Sequence, residues 1–187
     1  MLEINSPIKE TLSYNNFSME EKNQVTKINL RGNVNNKEFI NKVSKILGII
    51  LPVKVGDIII KDKISIICAG PNEWLIISMN AIKKISNDIK LENILFESIS
   101  KNNLGAVTNV TDQFTIFSLV GSNIYEVLSK SSPFNFDSLS DNSSAQTLLN
   151  NIDVTIVKKD NENIDLLVRR SFSEHLWGWI KDSASLS

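Results

Sequence analysis

The stretch ISIICAGPNEWLIISMNA, residues 64–81, decides the reading of this chain, because its pattern returns in VTIVKKDNENIDLLVRRSF, residues 154–172. Each copy is a short apolar run, a polar turn, a second apolar run and the start of a helical pattern. Apolar runs of that length, rich in β-branched residues and broken by Gly-Pro-Asn or by a cluster of Asp and Asn, are the mark of a β-hairpin.

The flanking sequence extends the parallel. VTKINLRG (25–32) reads as a strand ending at Gly32. From Asn36 onward Phe39, Val43, Ile46, Leu47 and Ile50 recur at helical spacing, and Gly48 and Pro52 supply stop signals. DIIIKD (57–62) adds a strand before the first hairpin. After it, Asn80 can cap a helical stretch, and Leu91, Ile94, Leu95 and Ser98 mark another helix closing near Leu104-Gly105. AVTNVT (106–111) and FTIFSLVG (114–121) then read as a hairpin ending at Gly121. Ser122 is placed to cap a short helix with Ile124, Val127 and Leu128 inward, stopping before Pro133. SLSDNSSAQT (138–147) reads as a polar loop. The expected fold class is therefore α+β: two fused β-α-β-β units, at about 23–104 and 105–187, forming a single domain of antiparallel sheets and packed helices. Residues 1–22 lack periodicity and are expected to form an extended arm on the fold or on a partner.

Composition excludes several function classes. Lys+Arg number 20 against Asp+Glu 21, so no global field draws the chain to nucleic acid or to an anionic membrane. No apolar stretch approaches membrane-spanning length, and the N-terminus lacks the basic start and apolar core of a signal peptide. A lone cysteine, Cys68, fits a reducing cytoplasm and cannot form an internal disulfide.

The closing stretch LLVRRSFSEHLWGWI (166–180) concentrates the single histidine and two of the three tryptophans. Ser171 and Glu174 fit a capping box, and Phe172, Leu176, Trp179, Ile180 and Ser183 then share a core face. Trp177 falls off that stripe, on the side of Ser173, Lys181 and Ala184. Either the N-terminal arm covers it, or it meets a partner subunit, or it stacks on a ligand; Trp is enriched at interfaces. Trp177, Lys181 and Arg169 are the candidate partner contacts. Arg169 and Arg170 point to opposite strand faces and cannot clamp one anion by adjacency. His175 borders the stripe with no converging acid, so a partly buried, hydrogen-bonded ring is expected rather than a catalytic one.

The chain carries no dinucleotide or phosphate-loop fingerprint, no zinc-protease motif and no nucleophile elbow. Cys68 lies within an apolar strand and reads as packed rather than nucleophilic. Asp112 reads as a turn residue, and a β-turn accounts for GPNEWLI. No catalytic, metal or cofactor-binding residue is therefore expected.

With these residues in place the chain resembles the gamma subunit of heterotetrameric sarcosine oxidase. The landmarks are INLRGN (28–33), LGIILP (47–52), GPNEWLI (70–76), VTDQFTIFSLVG (110–121), AQTLL (145–149) and the closing 166–180 stretch, in order along nearly the whole chain after the arm. The loop over 137–146 is more polar than that pattern. The resemblance implies a fold like the folate-binding domain of the glycine-cleavage T-protein. It also implies a cytoplasmic, non-catalytic subunit with alpha, beta and delta partners, of which alpha and beta hold FAD, FMN and NAD and alpha holds tetrahydrofolate. The implied complex is an oxidoreductase that demethylates sarcosine to glycine, forms hydrogen peroxide, and passes the one-carbon unit to tetrahydrofolate or releases it as formaldehyde. Two alternatives stay open. One is a freestanding folate-binding module, which would need an acid and an aromatic or arginine lining one pocket. The other is the same subunit in a complex acting on another N-methylated amine or amino acid.

Overall fold

The computed structural model describes residues 6–22, 25–78 and 88–186. The chain divides into two compact units, Met1–Asn23 with Asp112–Ser187, and Gln24–Thr111. Each has one antiparallel sheet and its own apolar core.

The Gln24–Thr111 unit contains β3 (Thr26–Gly32), α1 (Lys37–Leu47), β4 (Ile58–Lys61), β5 (Ile64–Gly70), β6 (Glu73–Ser78), α2 (Asp88–Leu95) and β7 (Gly105–Asn109). The other unit contains β1 (Leu12–Tyr14), β2 (Phe17–Glu21), β8 (Phe114–Val120), α3 (Ile124–Ser129), β9 (Ser143–Leu149), β10 (Ile152–Asp160), β11 (Asn163–Arg169) and α4 (Ser173–Ser185). The sheets run β4-β5-β6-β3-β7 and β1-β2-β8-β11-β10-β9. Four strands of each match position for position: β4-β5-β6-β3 and β9-β10-β11-β8. Each sheet also takes further strands beside its first one. The repeat is thus β-α-β-β-β-α, one strand and one helix longer than the β-α-β-β unit read from the sequence.

The two hairpins that reveal the repeat form as read. β5 pairs with β6 and β10 with β11, with Ile66 opposite Ile76 and Ile156 opposite Leu166 at the buried centres. Alternation places Ile164, Leu166 and Val168 on the core face of β11. In the other core Ile28, Leu30, Ile66, Trp74 and Ile76 receive Phe39 and Val43 from α1. The α1 start is set by Asn36, whose side chain accepts from the Glu38 and Phe39 amides. Its stop is Gly48, left-handed at φ 65°.

Several expectations are corrected. Ile50 follows the Gly48 stop and is exposed instead of continuing the helical stripe. AVTNVT and FTIFSLVG do not form a hairpin: β7 joins β3 in one sheet, β8 joins β2 and β11 in the other, and a 3-10 turn at Thr111–Gln113 lies between them. The polar run after Leu139 is not all loop, because Ser143–Leu149 is an edge strand on β10. In it Gln146 and Leu148 are exposed, Ser143, Ala145 and Thr147 are half-buried, and Ser144 and Leu149 are buried. The arm is not simply extended: β1 and β2 make a hairpin, and β2 adds to β8. Ser122 is not the cap of α3; Asn123 holds that position without a side-chain bond, although Ile124, Val127 and Leu128 are buried as expected. Asn80 lies outside the described residues. No helix among the described residues is long and apolar enough to cross a membrane.

Candidate functional site

The chain leaves β11 at Arg169 through a 3-10 turn, Arg170–Phe172, and enters α4 at Ser173. The Ser171/Glu174 capping box does not form, since no side chain caps the helix. Ser173 instead turns inward, its hydroxyl bonded to Thr115 Oγ1 at 2.7 Å, which ties the helix start to β8. The buried stripe is Ser173, Leu176, Trp177, Ile180, Ser183 and Ala184, an i, i+3, i+4, i+7 series. It is centred further round the helix than the Phe172–Trp179 stripe read from the sequence.

Trp177 is therefore a core residue, 3% exposed, and the expectation that it faces a partner is corrected. Its ring meets Phe117 edge-on at 5.2 Å between centroids, and its indole N–H donates to Glu10 Oε1 at 2.8 Å. The N-terminal segment supplies that acceptor, so of the readings left open the arm is what covers the ring. Lys181 Nζ donates to the same carboxylate at 3.1 Å. The Trp177 indole first, and then Lys181, hold the Glu10 carboxyl below its ordinary range. Upstream, the Ser6 hydroxyl and the Ile8 amide donate to Glu21 of β2, and Ile8 enters the core. The segment is fastened at both points.

Arg169 is exposed, its guanidinium 6.0 Å from the centre of the Phe114 ring. Arg169 does not join Trp177 and Lys181 at Glu10. Phe172, expected in the core, is 47% exposed because it precedes the helix and sits on the turn. Trp179 is half-buried against the core. His175, expected partly buried, is exposed; its Nε2 lies 3.2 Å from Asn150 Nδ2. Beside the turn, Pro7, Asp112, Gln113, Arg170, Ser171 and Glu174 line an open cleft of about 600 Å³.

In the other unit the polar residues of three sequence landmarks meet. The Gly32 amide donates to Asn72 O and the Val34 amide to Asn72 Oδ1. Glu73 Oε1 accepts from Asn29 Nδ2 at 2.7 Å and from Arg31 Nη2 at 2.8 Å. Trp74 Nε1 donates to Pro52 O at 2.6 Å. INLRGN, LGIILP and GPNEWLI are thus joined by internal hydrogen bonds. Cys68 is buried, its thiol 3.6 Å from Gly70 O, and burial pushes its pKa up, away from a reactive thiolate.

Sequence reading missed two clusters around partly or fully buried lysines, because each joins elements distant in sequence. Lys22 and Lys159 share Asp165 at 2.6 and 2.8 Å, and burial pushes the Lys22 ammonium down against the pull of that carboxylate. Lys158 Nζ donates to Leu139 O at 2.9 Å and sits over the Tyr125 ring. Among the described residues no group of three or more His, Cys, Asp or Glu side chains is placed to hold a metal.

Residues 31–186 match the model of the sarcosine oxidase, gamma subunit family. The chain belongs to that family. A search of the curated proteins found no match. Among solved structures the fold is similar to a chain of the heterotetrameric sarcosine oxidase from Corynebacterium sp. U-96 in complex with pyrrole 2-carboxylate. The likeness has a TM-score of 0.79 at 23% identity, and covers 90% of this chain and 84% of that one. It bears out the α+β class with antiparallel sheets, and the family match bears out the resemblance read from the landmarks.

Proposed function

We propose that this chain is a structural gamma subunit, without a cofactor of its own, in a heterotetrameric complex of the sarcosine oxidase type. Its partners would be alpha, beta and delta subunits, with FAD, FMN and NAD in alpha and beta and tetrahydrofolate in alpha. The complex would act in the cytoplasm, demethylating sarcosine to glycine with hydrogen peroxide as co-product. The observation that carries this reading is the family match over residues 31–186. It is supported by the use made of the reactive side chains. The Trp177 indole serves the N-terminal strap, Cys68 is packed in a strand, and Glu73 and Asp165 hold internal cations. Substrate choice would rest with the partner subunits, so the same geometry suits an enzyme for another N-methylated amine.

The test is reconstitution. The purified chain is expected to show no flavin absorbance and to produce no peroxide from sarcosine, and to co-purify with the flavoprotein subunits when expressed with them. Peroxide formation by the isolated chain, or failure to co-purify, would overturn the reading.

One observation favours a second reading. The cleft beside the closing turn joins Asp112 and Glu174 to Arg170, the acid-plus-arginine lining that a folate-binding module needs. Saturable binding of tetrahydrofolate to the isolated chain, lost in Arg170→Ala, would establish it over the structural one.

A further inference from the structure

We propose that the free edge of β4 and the loop leading into it seat an extended segment of a partner subunit, added to the smaller sheet as a further strand. The proposal rests on the subunit reading above and names the surface that reading requires.

The loop is held in place from both ends. Lys61 Nζ donates to Gly48 O at 2.8 Å, tying the loop start to the far end of β4. The Gly56 amide bonds Cys68 O and the Cys68 amide bonds Asp57 O, tying the loop end to β5. Ile49 and Leu51 are buried, and Pro52 O accepts the Trp74 indole. The residues between these anchors point the other way: Ile50 is 75% exposed, Val53 68% and Val55 53%, with Ile60 of β4 at 49%. All four are β-branched, stiff at χ1, and mounted on anchored backbone, so ordering them on docking costs little. Exposed apolar clusters of this kind mark interaction sites.

The strand edge agrees. Among the described residues β4 pairs only with β5, so alternate residues direct N–H and C=O groups outward. Its sequence is Ile-Ile-Ile-Lys, with no proline and no register shift against β5, and its lysine is committed to Gly48. Natural edges are guarded by charge, brevity or irregularity. At the other edges β1 has three residues, and β9 and β7 carry mostly small or polar side chains, whereas β4, itself only four residues long, carries three isoleucines.

Charge selects the occupant. A symmetric antiparallel pair of two β4 strands overlapping all four residues would set Asp57 opposite Asp62 twice, and like charges directly opposite are destabilising. A different chain can place Lys or Arg against both aspartates. The segment that fits is extended, apolar and β-branched on one face, with a basic residue near each end.

The test uses the full chain co-expressed with the other subunits of the complex and purified through a tag on a partner. Val53→Glu/Val55→Glu and, separately, Ile60→Lys are expected to lower recovery of the chain by roughly tenfold or more. Circular dichroism and the thermal midpoint of the isolated variants should stay at wild type, because the replaced side chains already face water. In the wild-type complex, amide exchange at Ile58–Lys61 should slow relative to the isolated chain, a readout that needs no variant. Absence of wild-type co-purification overturns the subunit reading itself. Wild-type assembly with unaffected variants, or with unslowed β4 amides, overturns the edge proposal and leaves the subunit reading standing. An isolated chain that dimerises through β4, with assembly unaffected by the variants, overturns it in favour of a second copy.

Discussion

At the scale of the residue, the exchange of places between Trp177 and Phe172 carries the sharpest consequences. Trp177 is enclosed by Phe117 and the N-terminal strap, so Trp177→Ala should cost about 3–5 kcal/mol, the range for truncating a large buried aromatic. Phe172→Ala removes a half-exposed ring and should stay within about 1 kcal/mol. Chemical denaturation of the isolated chain checks both, and equal losses would mean the closing helix is docked differently. The strap also carries a pH dependence. The folded-state pKa of Glu10 is lowered, first by the Trp177 indole and then by Lys181. Its contribution is therefore present above the unfolded-state value and lost as pH falls through the lower folded-state one. The strap should be closed at neutral pH and loosen in acid, below the ordinary value of 4.5. Glu10→Gln should abolish the acid-dependent change in Trp177 fluorescence. The sequence displays Trp177 as the odd residue of its helix. The partner that satisfies it, Glu10, lies at the opposite end of the chain, and nothing local connects the two.

At the scale of the element, the glycine that follows β8 is a restrictive position. Gly121 adopts φ 138°, and a Cβ there would lie 2.0 Å from Asn16 O of the β1–β2 turn. Gly121→Ala should therefore separate the N-terminal hairpin from β8, seen as fast amide exchange at Phe17–Glu21 while β10 and β11 stay protected. Unchanged exchange at β2 would show that the hairpin adjusts. Helices and strands were legible wherever the apolar period was uninterrupted and the stop residues stood alone, as at α1 between Asn36 and Gly48. Two kinds of element were not. β9 is an edge strand whose serines and glutamine imitate a loop. The join of β7 and β8 imitates a hairpin because the two strands are close in sequence, although each belongs to a different sheet. The start of α4 differs for a related reason: Ser171 and Glu174 satisfy the capping pattern, but Ser173 is buried against Thr115 and the helix starts one residue later.

At the scale of the whole molecule, the repeated hairpins were enough to reveal the duplication. The family landmarks then proved to be the residues that fasten each copy internally. What the sequence could not display is which apolar residues folding leaves unused. Ile50 continues a helical period in the sequence, yet faces water once Gly48 ends the helix. With Val53, Val55 and Ile60 it makes an apolar edge on a chain whose formal net charge is only -1. A small net charge gives little mutual repulsion between copies, and exposed apolar side chains give them a means to associate without strand pairing. The isolated chain should accordingly be least soluble near its sequence pI of 5.9, and should dissolve better as pH rises above it. Val53→Glu/Val55→Glu takes the formal charge from -1 to -3, and removes two of the exposed apolar side chains. A charge effect alone should be matched by a substitution on another element of the same unit that also changes the charge by two, for instance Lys42→Glu on α1. If those side chains drive association, the Val53/Val55 variant should remain soluble at pH 5.9 where Lys42→Glu precipitates. Equal solubility of the two variants in light scattering would assign association to net charge and not to the exposed valines.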